Sequence, residues 1–413
     1  MIVRRTRRDF LKAACGLLLA APAACARSPQ GPSDAAVASV PPDVPDEYRA
    51  LYAELDARLT AFLGTLPAGR GERPLRAASL LTVNAHVGEK LFSEPWQRTH
   101  RLCLDRLRAL GAEAIVLEAS YPIFTPGFHD AREYLDFYVG IAEEIRRRGM
   151  KVIVKHNTLL PGYTALPVGR YYRGLEPSRF GKERYAEAAR IVDAVRPEYL
   201  SLVGEPGTHN DATGLKLSVE QWVGYVDLVV KQLRRDLPRH ATLLGAGAGT
   251  WESARYFEGY ARIAALDYVD LHIYPLSNGV QDYLQTAAAW VRRVRQIDSA
   301  KRAVVGEMWL YKAGIRELRQ TAANKTIFAR DAFRFWEPLD VKFLRAVEGL
   351  ARAERIELYA PFWTRYFFAY LDEPPRELAG KSPDEVMELA NRAAFAAMTA
   401  GRTTATGRTF AGG

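Results

Sequence analysis

Cysteine is scarce in this chain of 413 residues: Cys15, Cys25 and Cys103 are the whole complement. Only Cys103 lies in the body of the sequence, which excludes a fold stapled by disulfides. It stands in a helical stretch, Trp96 to Leu110, with no His or Cys at ligand spacing, and reads as a buried structural thiol. Long apolar runs are lacking too: beyond residue 25, no stretch matches the roughly 20 apolar residues of a membrane-spanning helix. Nor is there a basic run interleaved with aromatics, so nucleic acid is not an expected partner. The formal net charge of +9 has a partly local source: residues 1–25 hold Arg4, Arg5, Arg7, Arg8 and Lys12 against Asp9 alone, leaving +5 on the rest. What is present is ordinary globular material, 48% hydrophobic and 25% charged, enough for a sizeable core and unlike a disordered or collagenous polymer.

The first 25 residues read as a targeting segment. A basic start leads into Thr6-Arg7-Arg8-Asp9-Phe10-Leu11-Lys12 and then an apolar stretch from Ala13 to Ala24, interrupted by Gly16 and Pro22. This run resembles the twin-arginine export signal, which carries folded proteins across the bacterial inner membrane, and so implies a periplasmic or cell-envelope protein. Cys25, after Pro22-Ala23-Ala24, fits a lipoprotein-type cleavage box in its small residues; ordinary cleavage after Ala24-Cys25-Ala26 is the competing reading. A lipid on Cys25 would be the one membrane contact. Residues 26–45, with Pro29, Pro32, Pro41, Pro42 and Pro45 among Ala, Ser, Gly and Asp, read as a flexible tether, and 46–413 as one folded unit.

From residue 46 onward, short β-branched runs alternate with amphipathic stretches, the pattern of a parallel sheet covered by helices. Eight strands are expected, at 78–84, 114–118, 151–156, 199–205, 242–246, 268–273, 303–307 and 357–362. Helices are expected at 97–110, 131–148, 181–195, 218–236, 252–264, 280–298, 340–354 and 383–400. Ser218-x-x-Gln221 and Ser382-Pro383-Asp384-Glu385 carry capping signatures. Eight strands each followed by a helix predict a single (β/α)8 barrel of the α/β class, with an extra helix near 46–64; a doubly wound open sheet is the alternative. In such a barrel, chemistry belongs at the carboxyl ends of the strands and the loops after them.

The expected fourth strand ends Leu202-Val203-Gly204-Glu205-Pro206 and the seventh Val304-Val305-Gly306-Glu307-Met308-Trp309. Strands four and seven stand on nearly opposite sides of a barrel mouth, so their two carboxylates can flank one bound bond, as two-carboxylate glycoside hydrolysis requires. With Leu271-His272-Ile273-Tyr274-Pro275 on strand six, the chain resembles the clan of retaining (β/α)8 glycoside hydrolases that includes families 5 and 53. The resemblance covers residues 70–400 and is specific only in these short motifs. It implies Glu205 as general acid/base and Glu307 as nucleophile. It also implies that Tyr274 hydrogen-bonds the nucleophile, that His272 lines the subsite, and that Trp363, in Ala360-Pro361-Phe362-Trp363, is the aromatic platform under the sugar. One residue departs from it: the clan has Asn directly before the acid/base, and this chain has Gly204.

Further side chains at expected mouth positions are candidates for binding sugar hydroxyls: His156 and Asn157 after strand three, Asn84 and His86 after strand one, and Trp309 after strand seven. Tyr121, Phe124, Trp251 and Tyr311 sit in loops at the same end. Glu118, ending strand two, is a third carboxylate that either binds a substrate hydroxyl or pairs with an Arg. Gly245-Ala246-Gly247-Ala248-Gly249 could mimic a dinucleotide loop, but Thr250 stands where its third glycine belongs. Asn84-x-His86 replaces the His-x-His of metal-dependent barrel hydrolases, and seven His in all leave few ligands. Neither metal nor other cofactor is expected. The expected activity is an exported retaining hydrolase acting on an oligo- or polysaccharide, with a non-catalytic glycan-binding lipoprotein as the rival that Gly204 favours.

Overall fold

The computed structural model describes residues 40–67, 71–274, 283–314, 317 and 324–412. The expected signal, Cys25, most of the tether and Pro275 lie outside them. Eight parallel strands close into a barrel in sequence order. They are β1 (Leu75–Asn84), β2 (Ala114–Glu118), β3 (Lys151–Lys155), β4 (Tyr199–Ser201), β5 (Leu243–Gly249), β6 (Tyr268–Ile273), β7 (Arg302–Met308) and β8 (Leu358–Pro361). Closure is made by Leu75 and Arg76 of β1 against Leu358 and Tyr359 of β8. The open-sheet alternative is thereby excluded.

The principal helices are α1 (Asp46–Thr65), α2 (Glu94–Ala109), α3 (Ala131–Arg147), α4 (Pro177–Arg190), α5 (Val219–Asp236), α6 (Arg255–Ala261), α7 (Tyr283–Ile297), α8 (Glu337–Ala353) and α9 (Pro383–Thr399). Both capping boxes form, with Ser218 and Ser382 each accepting from the backbone of the residue three positions on. The helix expected to run to 195 ends at Arg190 and continues as one wider turn, Ile191–Val195. No helix among the described residues is long and apolar enough to cross a membrane. At the amino end the expected tether stops short: Val40 and Val44 are buried, and the Arg49 guanidinium donates to the carbonyls of Val40 and Pro41.

Alternation along each strand sorts the core into two layers. Ala77, Ala114, Val116, Ile153, Tyr199, Tyr268, Val304, Leu358 and Ala360 fill the barrel interior. Their neighbours in sequence face the helices in a second, larger cluster that includes Ile115, Val152, Leu200, Val269 and Val305. Cys103 joins that outer layer, its thiol pushed up to about 12 by burial, with Met398 Sδ 3.7 Å away. The glycine run belongs to β5 itself and is no loop. A Cβ on Gly245 would lie 2.1 Å from the Tyr268 ring, and one on Gly249 would lie 2.4 Å from Trp251, so both glycines make room for aromatic rings.

Candidate active site

Strand parity decides which side chains enter the barrel. On β6, Tyr268 lies at the bottom and Asp270, His272 and Tyr274 follow at every second position towards the mouth. On β7, Val304 is interior, so strict alternation would turn Glu307 outward. A register shift in the β6–β7 ladder resets it: Leu271 pairs with Val305, but His272 pairs with Glu307, leaving Gly306 as the extra residue. Asp270 fixes this bulge by accepting from the Gly306 N–H at 2.9 Å and from Ser201 Oγ at 2.7 Å.

Glu307 is thereby turned into the barrel and is buried. Tyr274 donates to its Oε1 at 2.8 Å, and Lys155 Nζ donates to its Oε2 at 2.8 Å. Burial works to raise the Glu307 pKa, but Lys155, His272 and Tyr274 outweigh it and hold the carboxyl below its ordinary value. Glu205 follows β4 and opens a short helix, Pro206–Thr213. Its Oε1 meets His272 Nδ1 at 2.9 Å, and Thr208 donates to its Oε2 at 2.8 Å. One oxygen of Glu205, one of Glu307 and a nitrogen of His272 all lie within 4.8 Å of one another. Such a cluster could hold a metal in principle, but Lys155 already sets its ammonium against Glu307 and, at 2.9 Å, against His272 Nε2.

Gly204 is explained by what surrounds it. A Cβ there would lie 2.6 Å from His272 Cε1, 2.8 Å from its Nε2 and 3.1 Å from Asn157 Oδ1. The imidazole fills the space that an asparagine side chain would need. Asn157 in turn donates to Glu118 Oε2 at 2.9 Å and contacts His209 Nε2 at 3.3 Å. Glu118 therefore pairs with an amide and not with an Arg. Burial first, and then the charge on Glu307, push its pKa up to about 7.

An arc of rings runs beside these carboxylates. Tyr274 stacks on Tyr311 at 4.9 Å between centroids, Tyr311 lies 5.1 Å from Phe328, and Phe328 lies 5.5 Å from Trp363. Trp363 is half-buried in this arc, and the Arg365 guanidinium sits 4.4 Å over its ring.

Six sequence candidates are taken up by contacts within the fold. His156 has the outward parity of β3 and is buried against α4, where its Nε2 meets Glu187 Oε2 at 2.7 Å. Burial holds its pKa well below the ordinary value. His86 and Asn84 bind each other at 2.8 Å, and His86 Nε2 accepts from the Leu160 N–H, so the two lock loops together. Burial lowers His86 to about 4, which keeps it a neutral acceptor. Trp309 is fully buried, stacked on Tyr366 at 5.5 Å. Tyr121 and Phe124 are also fully buried and cannot widen a cleft.

Lys155, Asp270, His209 and Glu252 are not among the sequence candidates. Parity carries the signal for the first: Ile153 is interior, so Lys155 and Asn157 share its side while His156 does not. Glu252 accepts from the backbone of Gly207 at 2.6 Å and of Gly249 at 2.8 Å, which ties the start of the Glu205 helix to β5.

No family model and no curated protein matches the chain. Among solved structures it is similar to the exo-beta-1,4-mannosidase Op5Man5 from Opitutaceae bacterium strain TAV5, with 14% identity over 81% of this chain and a TM-score of 0.47. The chain spans 63% of that mannosidase. It is also similar to a Cellulomonas fimi endo-beta-1,4-mannanase double mutant, with 15% identity, 82% of this chain, 74% of that one and a TM-score of 0.45. A third is a mutant of the rice Os3BGlu6 beta-glucosidase in covalent complex with Glc, with 11% identity, 73% and 90% coverage and a TM-score of 0.44.

Proposed function

We propose that the chain is an exported retaining glycoside hydrolase acting on β-linked oligo- or polysaccharides, carried by the twin-arginine route and anchored by a lipid on Cys25. The observation that supports this most is the pair of carboxylates: one oxygen of Glu205 and one of Glu307, from opposite walls of one barrel mouth, lie within 4.8 Å of each other, which leaves no room for a water-wide gap between the groups. Retaining enzymes keep their two carboxyl groups about 5–5.5 Å apart, while inverting enzymes leave about 6.5–9.5 Å for a water. The environments also differ in the sense the chemistry needs. Glu307 receives an ammonium and a phenol hydroxyl and is held ionised, as a nucleophile must be. Glu205 is partly open to solvent and has the His272 imidazole for a partner.

In the first step an oxygen of Glu307 attacks the anomeric carbon, the bond to the leaving oxygen breaks, and Glu205 gives that oxygen its proton. In the second step Glu205 takes a proton from water, the water oxygen attacks the same carbon, and the ester to Glu307 breaks. Trp363 and the adjoining rings supply an apolar face for the sugar. Gly204, which favoured a binding-only protein, loses that weight because His272 occupies its space.

The test is reducing-sugar release from a panel of β-glycans and aryl β-glycosides by the parent and by Glu307→Gln. Release by the parent with a loss of at least about a thousandfold in the variant is expected, since removing a nucleophile abolishes the covalent route. Equal release by both would place the chemistry elsewhere.

A further inference from the structure

We propose that Lys155 and His272 share one excess proton, and that this proton moves between them to follow the negative charge as it passes from Glu307 to Glu205. Lys155 Nζ and His272 Nε2 are 2.9 Å apart in the closed interior of the barrel, and both residues are fully buried. At that separation one nitrogen must offer a lone pair to the other, so the two cannot both present an N–H across the contact. The pair therefore carries a single positive charge.

The groups facing the pair come from every side. Lys155 is met by Glu307 of β7, Asp270 of β6 and Glu118 of β2, which hold its ammonium above the ordinary value although burial opposes it. His272 meets Glu205 at Nδ1, while Asp270 Oδ2 stands 3.8 Å from its Nε2 and Glu307 Oε2 3.9 Å from its Nδ1. Burial and the Lys155 ammonium oppose a proton on the ring, but Glu307, Asp270 and Glu205 push its pKa up to about 10, so both nitrogens of the contact compete for the one proton. Glu252 and the neutral His209 lie just beyond. Asp270 takes no part in bond changes and keeps the pair positive throughout.

In the resting enzyme the direct contact with Glu307 places the proton on Lys155. His272 is then neutral, its Nε2 lone pair accepts from Lys155, and its Nδ1–H donates to Glu205. On the two-step hydrolysis proposed above, the first step converts Glu307 to a neutral ester and leaves Glu205 as a carboxylate. Lys155 is then a buried ammonium that has lost its closest counter-ion, a costly state. The Lys155 Nζ–H bond breaks, the proton binds His272 Nε2, and an imidazolium now faces the Glu205 carboxylate. When water restores the Glu307 carboxylate and Glu205 is reprotonated, the proton returns to Lys155. No proton is gained or lost over the cycle. Lys155 is thus a positioning residue in the first step and a proton store in the second.

Nitrogen-15 NMR of the chain labelled at histidine tests the assignment without any substrate, with Glu307→Gln mimicking the neutral ester and His272→Gln identifying the His272 signals. The expected spectra show His272 in the parent at pH 7 as a neutral ring protonated at Nδ1, and in Glu307→Gln as a ring protonated at both nitrogens. An imidazolium in the parent, or the same state in both, would overturn the proposal. The kinetic arm uses Lys155→Arg, which keeps a cation but cannot release its proton. Breakdown of the glycosyl-enzyme should slow by at least about tenfold more than its formation, with the covalent species accumulating in intact-protein mass spectra. Equal slowing of both steps, or neither, would overturn the proton transfer. A parent that releases no sugar from any substrate removes the hydrolysis instead, and the proton assignment then stands or falls on the spectra.

Discussion

A methyl group added at residue 204 would press on an imidazole that is itself held at both nitrogens, by Glu205 and by Lys155. Neither partner can yield without moving a carboxylate, so the strain passes directly into the site. Overpacking a filled interior usually costs about 1–3 kcal/mol, and a displacement of about 1 Å at reacting groups can cost about a hundredfold in rate. Gly204→Ala is therefore expected to lose about a hundredfold in kcat/KM while its Tm falls by only a few degrees. Kinetics on an aryl β-glycoside beside thermal unfolding would check this, and full activity in the variant would show that His272 is free to move. The same crowding accounts for a departure that the sequence presents without its cause. Glycine before Glu205 is visible there, but the side chain that fills the vacated space lies 68 positions downstream on another strand.

At the scale of the strand, the legible and the hidden parts of the site divide along one physical line. Strands β2, β3, β6 and β7 can be read because β-branched residues mark them locally, and the helix starts at Ser218 and Ser382 because a capping box is a local signature. Glu205 and Glu307 are reached as carboxylates at strand ends and their roles through resemblance; alternation alone would turn Glu307 outward from Val304. The bulge at Gly306 is set by a contact with Asp270 across the ladder, and nothing in the β7 sequence alone reveals it. Lys155 is legible by parity with Ile153, whereas the sequence candidate beside it, His156, turns its side chain to α4. The bulge also yields a test. A Cβ on Gly306 would fall 2.3 Å from Asp270 Oδ1, so Gly306→Ala must straighten β7 or push Asp270 aside. A loss of about 1–3 kcal/mol in urea unfolding is expected, together with loss of glycosidase activity as Glu307 leaves its partners. Unchanged stability would mean that the bulge is not held by this contact.

For the molecule as a whole, the wall that carries Tyr311 to the mouth is fastened to the outer layer by buried charge. Lys312 follows Tyr311 and pairs with Asp340 of α8, Tyr370 donates to the same carboxylate at 2.8 Å, and the Lys312 N–H donates to Asp331 Oδ1 at 3.0 Å. Asp331 Oδ2 is buried with no partner, and burial pushes the Asp331 pKa up to about 7 despite Lys312. Between the ordinary carboxylate range and pH 7 the folded chain thus holds a proton that the unfolded chain has released. Folding is then favoured by lower pH. This contribution is complete below about pH 4, declines as pH rises towards 7 and is gone above it. It is worth a few kcal/mol at most, since each tenfold difference in proton affinity between the folded and unfolded chain is worth about 1.4 kcal/mol. Asp331→Asn keeps the shape and a donor at the orphaned position but cannot ionise. Its Tm relative to the parent should therefore climb from pH 5 to about pH 7 and level off above it in a thermal-unfolding series. A gap that stays constant across that range would mean that Asp331 is already ionised in the folded chain and that the Lys312 ammonium serves two carboxylates at once.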